Sequence, residues 1–185
     1  SGVLLNREVN PRLSLGATNS PDFRVEGGPD PLLARQAAVE TRGGSPFLTP
    51  ILNFAGEPST GVQPPDTVGE VGPDHYVQMV NATVGTLVRI YDKSGTLISG
   101  PTALDTIGSG NCADGLGDPI VLYDEDADRW LFTEFSGSGN DLCVYVSQTP
   151  DPTGSFFAYS LVAPSFPDYP KYAVWTDAYY VTSNE

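Results

Sequence analysis

At 185 residues, the chain is long enough for one ordinary domain, or for one domain and part of another. Its formal net charge is −14, and Lys93 and Lys171 are the only lysines. A nucleic-acid-binding function is therefore excluded, because it needs a surface of clustered cations. The 20 glycines and 17 prolines interrupt the apolar residues so often that strands and turns are predicted rather than long helices.

Residues 1–60 are predicted to form an extended N-terminal arm, because they contain many prolines and glycines and little alternation. One short helix is predicted within the arm, near residues 31–42. Asp30 is a favourable N-cap, Pro31 suits the first helical position, and Gly43 and Gly44 would end the helix.

From residue 61 onward, short strands alternate with turn residues. In the first unit, strands are predicted at 76–81, 86–91 and 96–99, with a hairpin turn at 92–95. Alternation along the first of these strands places Val77, Met79 and Asn81 on one face. The second unit has predicted strands at 119–123, 130–135, 142–147 and 156–161, and the third begins with strands at 171–175 and 179–182.

A weak internal repeat connects these units. Each unit has an aspartate, a short apolar run, a second aspartate and then an aromatic strand. The leading aspartates are Asp66, Asp118 and Asp168, which lie 52 and 50 residues apart. A period of this length, built from short strands, is typical of β-propeller blades, each of which is a sheet of four antiparallel strands.

The repeat predicts an all-β fold of β-propeller blades that is incomplete in this chain. Residues 61–185 would form the first two blades and the start of a third, whereas a propeller has at least four. We therefore expect the chain to be a fragment, with the remaining blades on a downstream segment or on a second chain.

Cys112 and Cys143 are the only cysteines, which excludes a cysteine-rich zinc site. A two-stranded hairpin within the second unit would bring them together, and a disulfide would indicate an oxidising compartment. Two buried free thiols are the alternative. No apolar stretch approaches the roughly 20 residues that span a bilayer. From the oxidising compartment that a disulfide would indicate, and with any signal peptide already removed or left out, we expect a mature, secreted, extracellular protein.

Four segments resemble a large group of secreted bacterial β-propeller proteins, often multidomain and mostly of unknown function. The segments are PPDTVGEVGPDHYVQMVN, GDPIVLYDEDADRWLFTEF, VSQTPDPTGSFFAYSL and FPDYPKYAVWTDAYYVTSN, and the resemblance covers residues from about 50 to 185. It implies further blades after residue 185 and a disulfide between Cys112 and Cys143. Val68 departs from the group, where a polar residue, usually asparagine, precedes Gly69.

The three leading aspartates are the strongest candidate site. Equivalent residues of successive blades lie at equivalent positions around an axis, so Asp66, Asp118 and Asp168 would form an arc of carboxylates at one mouth of the channel. Such an arc would suit a cation, with Ca²⁺ as the candidate cofactor, or Lys171 between the carboxylates. Alternatively, each aspartate caps the turn of its own blade.

Other acidic groups give weaker signals. Residues 124–128 contain alternate aspartates but lack the glycine and distal glutamate of an EF-hand loop, so a hairpin turn is the preferred interpretation. Glu134 and Asp118 are a candidate carboxylate pair for glycoside cleavage. His75 is the only histidine, which excludes a multi-histidine metal centre.

The leading functional hypothesis is a non-enzymatic, extracellular binding or scaffolding module that recognises a surface polymer, either glycan or protein. Aromatic side chains left at a rim would stack on sugar rings. One alternative is a polysaccharide hydrolase or lyase with its acidic groups at the channel mouth. Another is an assembly subunit that joins a neighbour through its arm or an open sheet edge.

Overall fold

The computed structural model describes the backbone of Leu5–Asn6 and the residues 51–184. The chain divides into two compact units, and the residues 54–184 belong to one of them. The predicted helix near residues 31–42, and most of the predicted arm, lie outside the described residues.

The first sheet has four antiparallel strands in chain order. They are β3 (Val68–Val71), β4 (His75–Ala82), β5 (Gly85–Asp92) and β6 (Leu97–Ala103). Before them, β1 (Leu5–Asn6) pairs in parallel with β2 (Val62–Gln63). The predicted hairpin turn lies between β5 and β6, where the Asp92 carboxylate accepts hydrogen bonds from the backbone N–H groups of Ser94 and Thr96.

The second sheet repeats this plan, and a strand pair follows it. Its strands are β7 (Gly115–Asp124), β8 (Arg129–Ser136), β9 (Asp141–Ser147) and β10 (Phe156–Val162). Two 3₁₀ turns, Leu104–Ile107 and Gly110–Ala113, connect the two sheets. The pair consists of β11 (Asp168–Val174) and β12 (Tyr179–Asn184), which are antiparallel.

The all-β prediction with antiparallel four-stranded sheets is therefore confirmed. Strand β3 was not among the predicted strands, because its VGEV sequence is short and half polar. It forms because it pairs along its whole length with β4.

A single core lies between the facing sides of the two sheets. Val77 and Met79 of β4 contribute from the first sheet, on the face that the alternation predicted, and both are completely buried. Trp130 and Phe132 contribute from the second sheet. The Cys112 side chain contributes from the 3₁₀ turn Gly110–Ala113. Each fully buried side chain of this kind contributes roughly 2 kcal/mol, so this core is the main source of stability. Strand β7 contacts β3, β4 and β5, and it is thus the edge on which the second sheet meets the first.

The opposite face of the first sheet is covered by the segment that precedes it. Phe54 packs on Tyr76 and Tyr91 with ring centroids 6.1 and 5.0 Å apart. The Glu57 N–H donates to Gln78 Oε1 at 2.8 Å, and the Glu57 carboxylate pairs with Arg89. Residues 54–57 therefore stabilise the first sheet.

The β11–β12 pair packs on the second sheet through one face only. Tyr179 donates a hydrogen bond from its hydroxyl to Asp124 Oδ2 at 2.8 Å. Tyr180, on the other face, is 49 % exposed, and Trp175 in the turn is 70 % exposed. The outer side of this pair consequently presents aromatic rings to solvent.

None of the helical segments in residues 51–184 has the length and apolarity to cross a membrane.

Candidate functional site

Three tripeptides from the three sheets line one open pocket of about 270 Å³, which we call the repeat pocket. Its lining residues are Asp66, Thr67 and Val68, then Asp118, Pro119 and Ile120, then Tyr169, Pro170 and Lys171. The first residue of each tripeptide has a left-handed backbone, with φ of 40° at Asp66, 54° at Asp118 and 52° at Tyr169. Because this conformation is uncommon outside glycine, its recurrence marks three equivalent positions.

Of the residues that the sequence singled out, Asp66, Asp118 and Lys171 line this one pocket. Asp168 does not line the pocket, although its charge acts on Asp118. An irregularity in β11 between Asp168 and Lys171 puts Tyr169 in the place that Asp66 and Asp118 occupy in their sheets. The third sheet therefore contributes an aromatic side chain, Tyr169, at the position where the other two sheets contribute a carboxylate.

Asn81 connects the two pocket carboxylates from beneath. Its side chain is completely buried at the end of β4. The Asn81 amide nitrogen lies 2.7 Å from Asp66 Oδ2 and 3.3 Å from Asp118 Oδ1, and it also donates to the Pro64 carbonyl at 3.1 Å. Asn81 Oδ1 accepts the backbone N–H of Asp118 at 2.7 Å. One amide therefore joins the first sheet to the second.

The electrostatics of the pocket are unusual at Asp118. Burial raises its pKa to about 6, the hydrogen bond from Asn81 opposes this rise, and the neighbouring Asp66 adds to it. In ordinary solvent an aspartate is fully ionised at this pH. The charge of the pocket floor therefore changes near pH 6.

The rim of the pocket is aromatic and cationic. Tyr169 is 61 % exposed, and the Lys171 ammonium lies 3.9 Å from the centroid of its ring. A cation at this distance is attracted to the ring face. The pocket thus combines carboxylates, an ammonium group and an exposed ring within one opening.

The calcium hypothesis for Asp66, Asp118 and Asp168 gains no support from the geometry. Within the residues 51–184, no group of three His, Cys, Asp or Glu side chains is arranged to hold a metal ion. The carboxylates of Asp66 and Asp118 instead share the Asn81 amide.

The disulfide prediction is confirmed. Cys112 and Cys143 are bonded, with their Cα atoms 5.6 Å apart. The bond fixes the 3₁₀ turn Gly110–Ala113 to strand β9 and lies within the core between the sheets. A disulfide is compatible with an extracellular protein.

The acidic segment at residues 124–128 forms the predicted hairpin turn between β7 and β8. Asp124 Oδ1 accepts the backbone N–H groups of Asp126 and Ala127 at 3.1 and 2.9 Å. Its other oxygen binds Tyr179, so this carboxylate has a structural role.

The candidate pair of Glu134 and Asp118 is not assembled at one opening. Glu134 is only 2 % exposed and does not line the repeat pocket. Its carboxylate lies against Gly115, where an added Cβ would be 2.5 Å from Glu134 Oε2. Glycosidic cleavage needs two carboxylates on opposite sides of an accessible bond, which this arrangement does not offer.

No protein-family model, curated protein or solved structure matches the chain.

Proposed function

We propose that this protein is a non-enzymatic, extracellular binding or scaffolding module that recognises a surface polymer through the repeat pocket, and that the polymer is a glycan. The observation that carries the proposal is the convergence of three equivalent tripeptides from three sheets on one open pocket.

The chemistry of the lining suits a sugar. Carboxylate oxygens such as those of Asp66 accept hydrogen bonds from hydroxyl groups, and the Lys171 ammonium donates them. The exposed ring of Tyr169 offers an apolar face of the size of a sugar ring. A site with a few convergent polar groups and one aromatic platform is typical of ligand recognition.

We further propose that the sheets are blades of a β-propeller and that the repeat pocket surrounds its axis. Support comes from the antiparallel four-stranded plan, from the left-handed backbone at the first residue of each pocket tripeptide, and from β7 meeting the preceding sheet. In this arrangement the exposed outer face of the β11–β12 pair, with Tyr180, is covered by a further sheet from the same polypeptide or from a second chain.

The binding hypothesis is tested by applying the labelled protein to an array of bacterial surface and plant glycans. Tyr169→Asn removes the ring, and asparagine tolerates the left-handed backbone at this position. We expect at least a tenfold loss of affinity for the glycan, because the ring on which a sugar would stack is removed.

Tyr159→Asn is the matched control, since Tyr159 is 50 % exposed on β10 and does not line the pocket. Equal losses for the two variants, or an array with no bound glycan, would contradict the proposed function.

A further inference from the structure

The hydrogen bonds around Asn81 do not balance when both pocket carboxylates are ionised. A side-chain amide nitrogen carries two hydrogens. Three oxygens lie within 3.3 Å of this nitrogen, those of Pro64, Asp66 and Asp118. One acceptor is therefore left without a hydrogen from Asn81, whose side chain is completely buried, whereas the Asp66 and Asp118 carboxylates are half-buried.

Neither pocket carboxylate forms an ion pair within the described residues, although the Lys171 ammonium lines the same pocket. Within the described part of the chain, the ion pair formed is that of Arg89 with Glu57, and none is formed at Asp66 or Asp118. Asp118 is faced by Asp66 from the segment before β3, and by Asp168, Tyr169 and Lys171 from β11. The Lys171 ammonium lies on the Tyr169 ring.

We propose that Asp66 and Asp118 share one proton across the junction of the first two sheets, and that loss of this proton adds one negative charge to the repeat pocket and weakens the junction. The shared proton supplies the hydrogen that Asn81 lacks. It also removes the repulsion between two carboxylates held by the same amide.

The raised pKa of Asp118, at about 6, agrees with this geometry. Burial is its main cause, and the hydrogen bond and charge of Asp66 act in the same direction. The protonated form of the pair is therefore populated under mildly acidic conditions and is lost as the pH approaches neutrality.

The consequence for ligand affinity rests on the proposed function, but the shared proton itself does not. With the proton held between Asp66 and Asp118, the pair carries a single negative charge and offers a ligand only acceptor oxygens. After deprotonation it has two carboxylates and repels anionic ligands. Glycan binding would consequently change between pH 5 and pH 7, whereas the titration of the free protein is independent of any ligand.

The direct test is a ¹³C NMR titration of the aspartate carboxyl carbons in the free protein between pH 3 and pH 8. We expect one coupled transition near pH 6. Asp118→Asn should abolish it, and Asp126→Asn, which changes an exposed aspartate in the β7–β8 turn, should leave it unchanged. Aspartate transitions that all lie below pH 5, or an equal effect of the two variants, would overturn the proposal.

The stability of the protein gives a second readout. The folded pKa of Asp118 lies above its unfolded value of 3.8, so the folded state binds more protons between these two values. The free energy of unfolding therefore decreases as the pH rises from about 4 to 6 and is constant above this window.

Asp118→Asn removes this decrease in the free energy of unfolding, because an amide is neutral at every pH. The amide oxygen still accepts the hydrogen bond from Asn81. Asparagine also adopts the φ of 54° without difficulty. We expect the variant to unfold at a temperature higher than wild type by about 3 °C at pH 7.5, and to differ little at pH 4.5. A difference that does not depend on pH would overturn the shared proton, whether or not a glycan binds.

Discussion

At the scale of single residues, Asn81 makes the most connections in the region of the repeat pocket. It binds a carbonyl and a carboxylate of the segment before β3, and both the carboxylate and the backbone N–H of Asp118 in the second sheet. If the amide were absent, the groups on both sides of the junction would lose this partner, although Pro64 is exposed and the two carboxylates are only half-buried. The unpaired polar groups would then oppose the packing of the sheets.

We expect Asn81→Ala to lower the free energy of unfolding by roughly 3 kcal/mol, because a completely buried side chain is truncated and the half-buried polar groups that it joins lose their partner. Urea denaturation at pH 7.5, followed by circular dichroism, measures this change. Gln148→Ala is the control, since the Gln148 amide is exposed and makes one long hydrogen bond of 3.5 Å. A loss below 1 kcal/mol for Asn81→Ala would contradict the bridging role.

Sequence patterns predicted part of this residue-scale picture. Alternation in β4 places Asn81 on the buried face, and the repeat places Asp66 and Asp118 at equivalent positions. The hydrogen bonds of Asn81 could not be predicted, because its partners come from two different sheets. Tyr169 was missed because the repeat was aligned on Asp168, whereas the pocket aligns Pro119 with Pro170. This shared proline was the signal that could have placed Tyr169.

At the scale of elements, the two sheets approach closely at their ends through glycine. Gly85 begins β5 with a φ of +89°, and a Cβ at this position would lie 2.7 Å from the Gly115 carbonyl carbon. Gly115 begins β7, so the contact joins the backbones of the two sheets. A side chain on Gly85 would force the sheets apart at this point.

Gly85→Ala is expected to destabilise the protein by about 3 kcal/mol, of which about 1 kcal/mol arises from the left-handed backbone and the rest from the clash. Gly61→Ala separates these two effects, because Gly61 has a φ of +81° and no atom within 4 Å of an added Cβ. Urea midpoints of both variants measure the difference. If the two substitutions cost the same, the backbones do not meet at Gly85.

Most of the strands were predictable, for a physical reason. The strands at 86–91, 130–135 and 142–147 have apolar and aromatic side chains on buried faces, and turn residues separate them. Burial alternates in β5, whereas β8 and β9 are buried on both faces, so their apolar content rather than alternation predicts them. Strand β3 and the two 3₁₀ turns depend instead on pairing and packing with distant residues, so local composition carries little information about them.

At the scale of the whole molecule, one contact between neighbouring sheets recurs. Gly72, just after β3, lies against the Trp130 ring of the second sheet, since an added Cβ would be 2.7 Å from Trp130 Cζ2. Asp124, at the corresponding place in the second sheet, contacts Tyr179 of the third. Trp175 occupies this place after β11 and is 70 % exposed. The position that receives an aromatic ring in the first two sheets is therefore open in the third.

Fluorescence quenching tests this difference, because Trp130 and Trp175 are the only tryptophans in the chain. Trp130 is 1 % exposed and donates its indole N–H to the Pro150 carbonyl at 3.0 Å, so it should be protected from a quencher. Acrylamide is suitable because it is neutral, whereas the net charge of −14 would repel iodide. In the wild-type protein, we expect the fluorescence of Trp175 to be quenched strongly as the acrylamide concentration rises. Trp175→Phe should remove this component of the quenching.

An unchanged quenching slope in Trp175→Phe would contradict the exposed position of this ring. The same measurement reports on the propeller arrangement. We propose that a further sheet covers the outer face of the β11–β12 pair. When that sheet is present, the quenching slope of Trp175 should decrease towards that of Trp130. This result is expected because the new sheet would bring its own side chains against Trp175, as the second sheet does against Gly72.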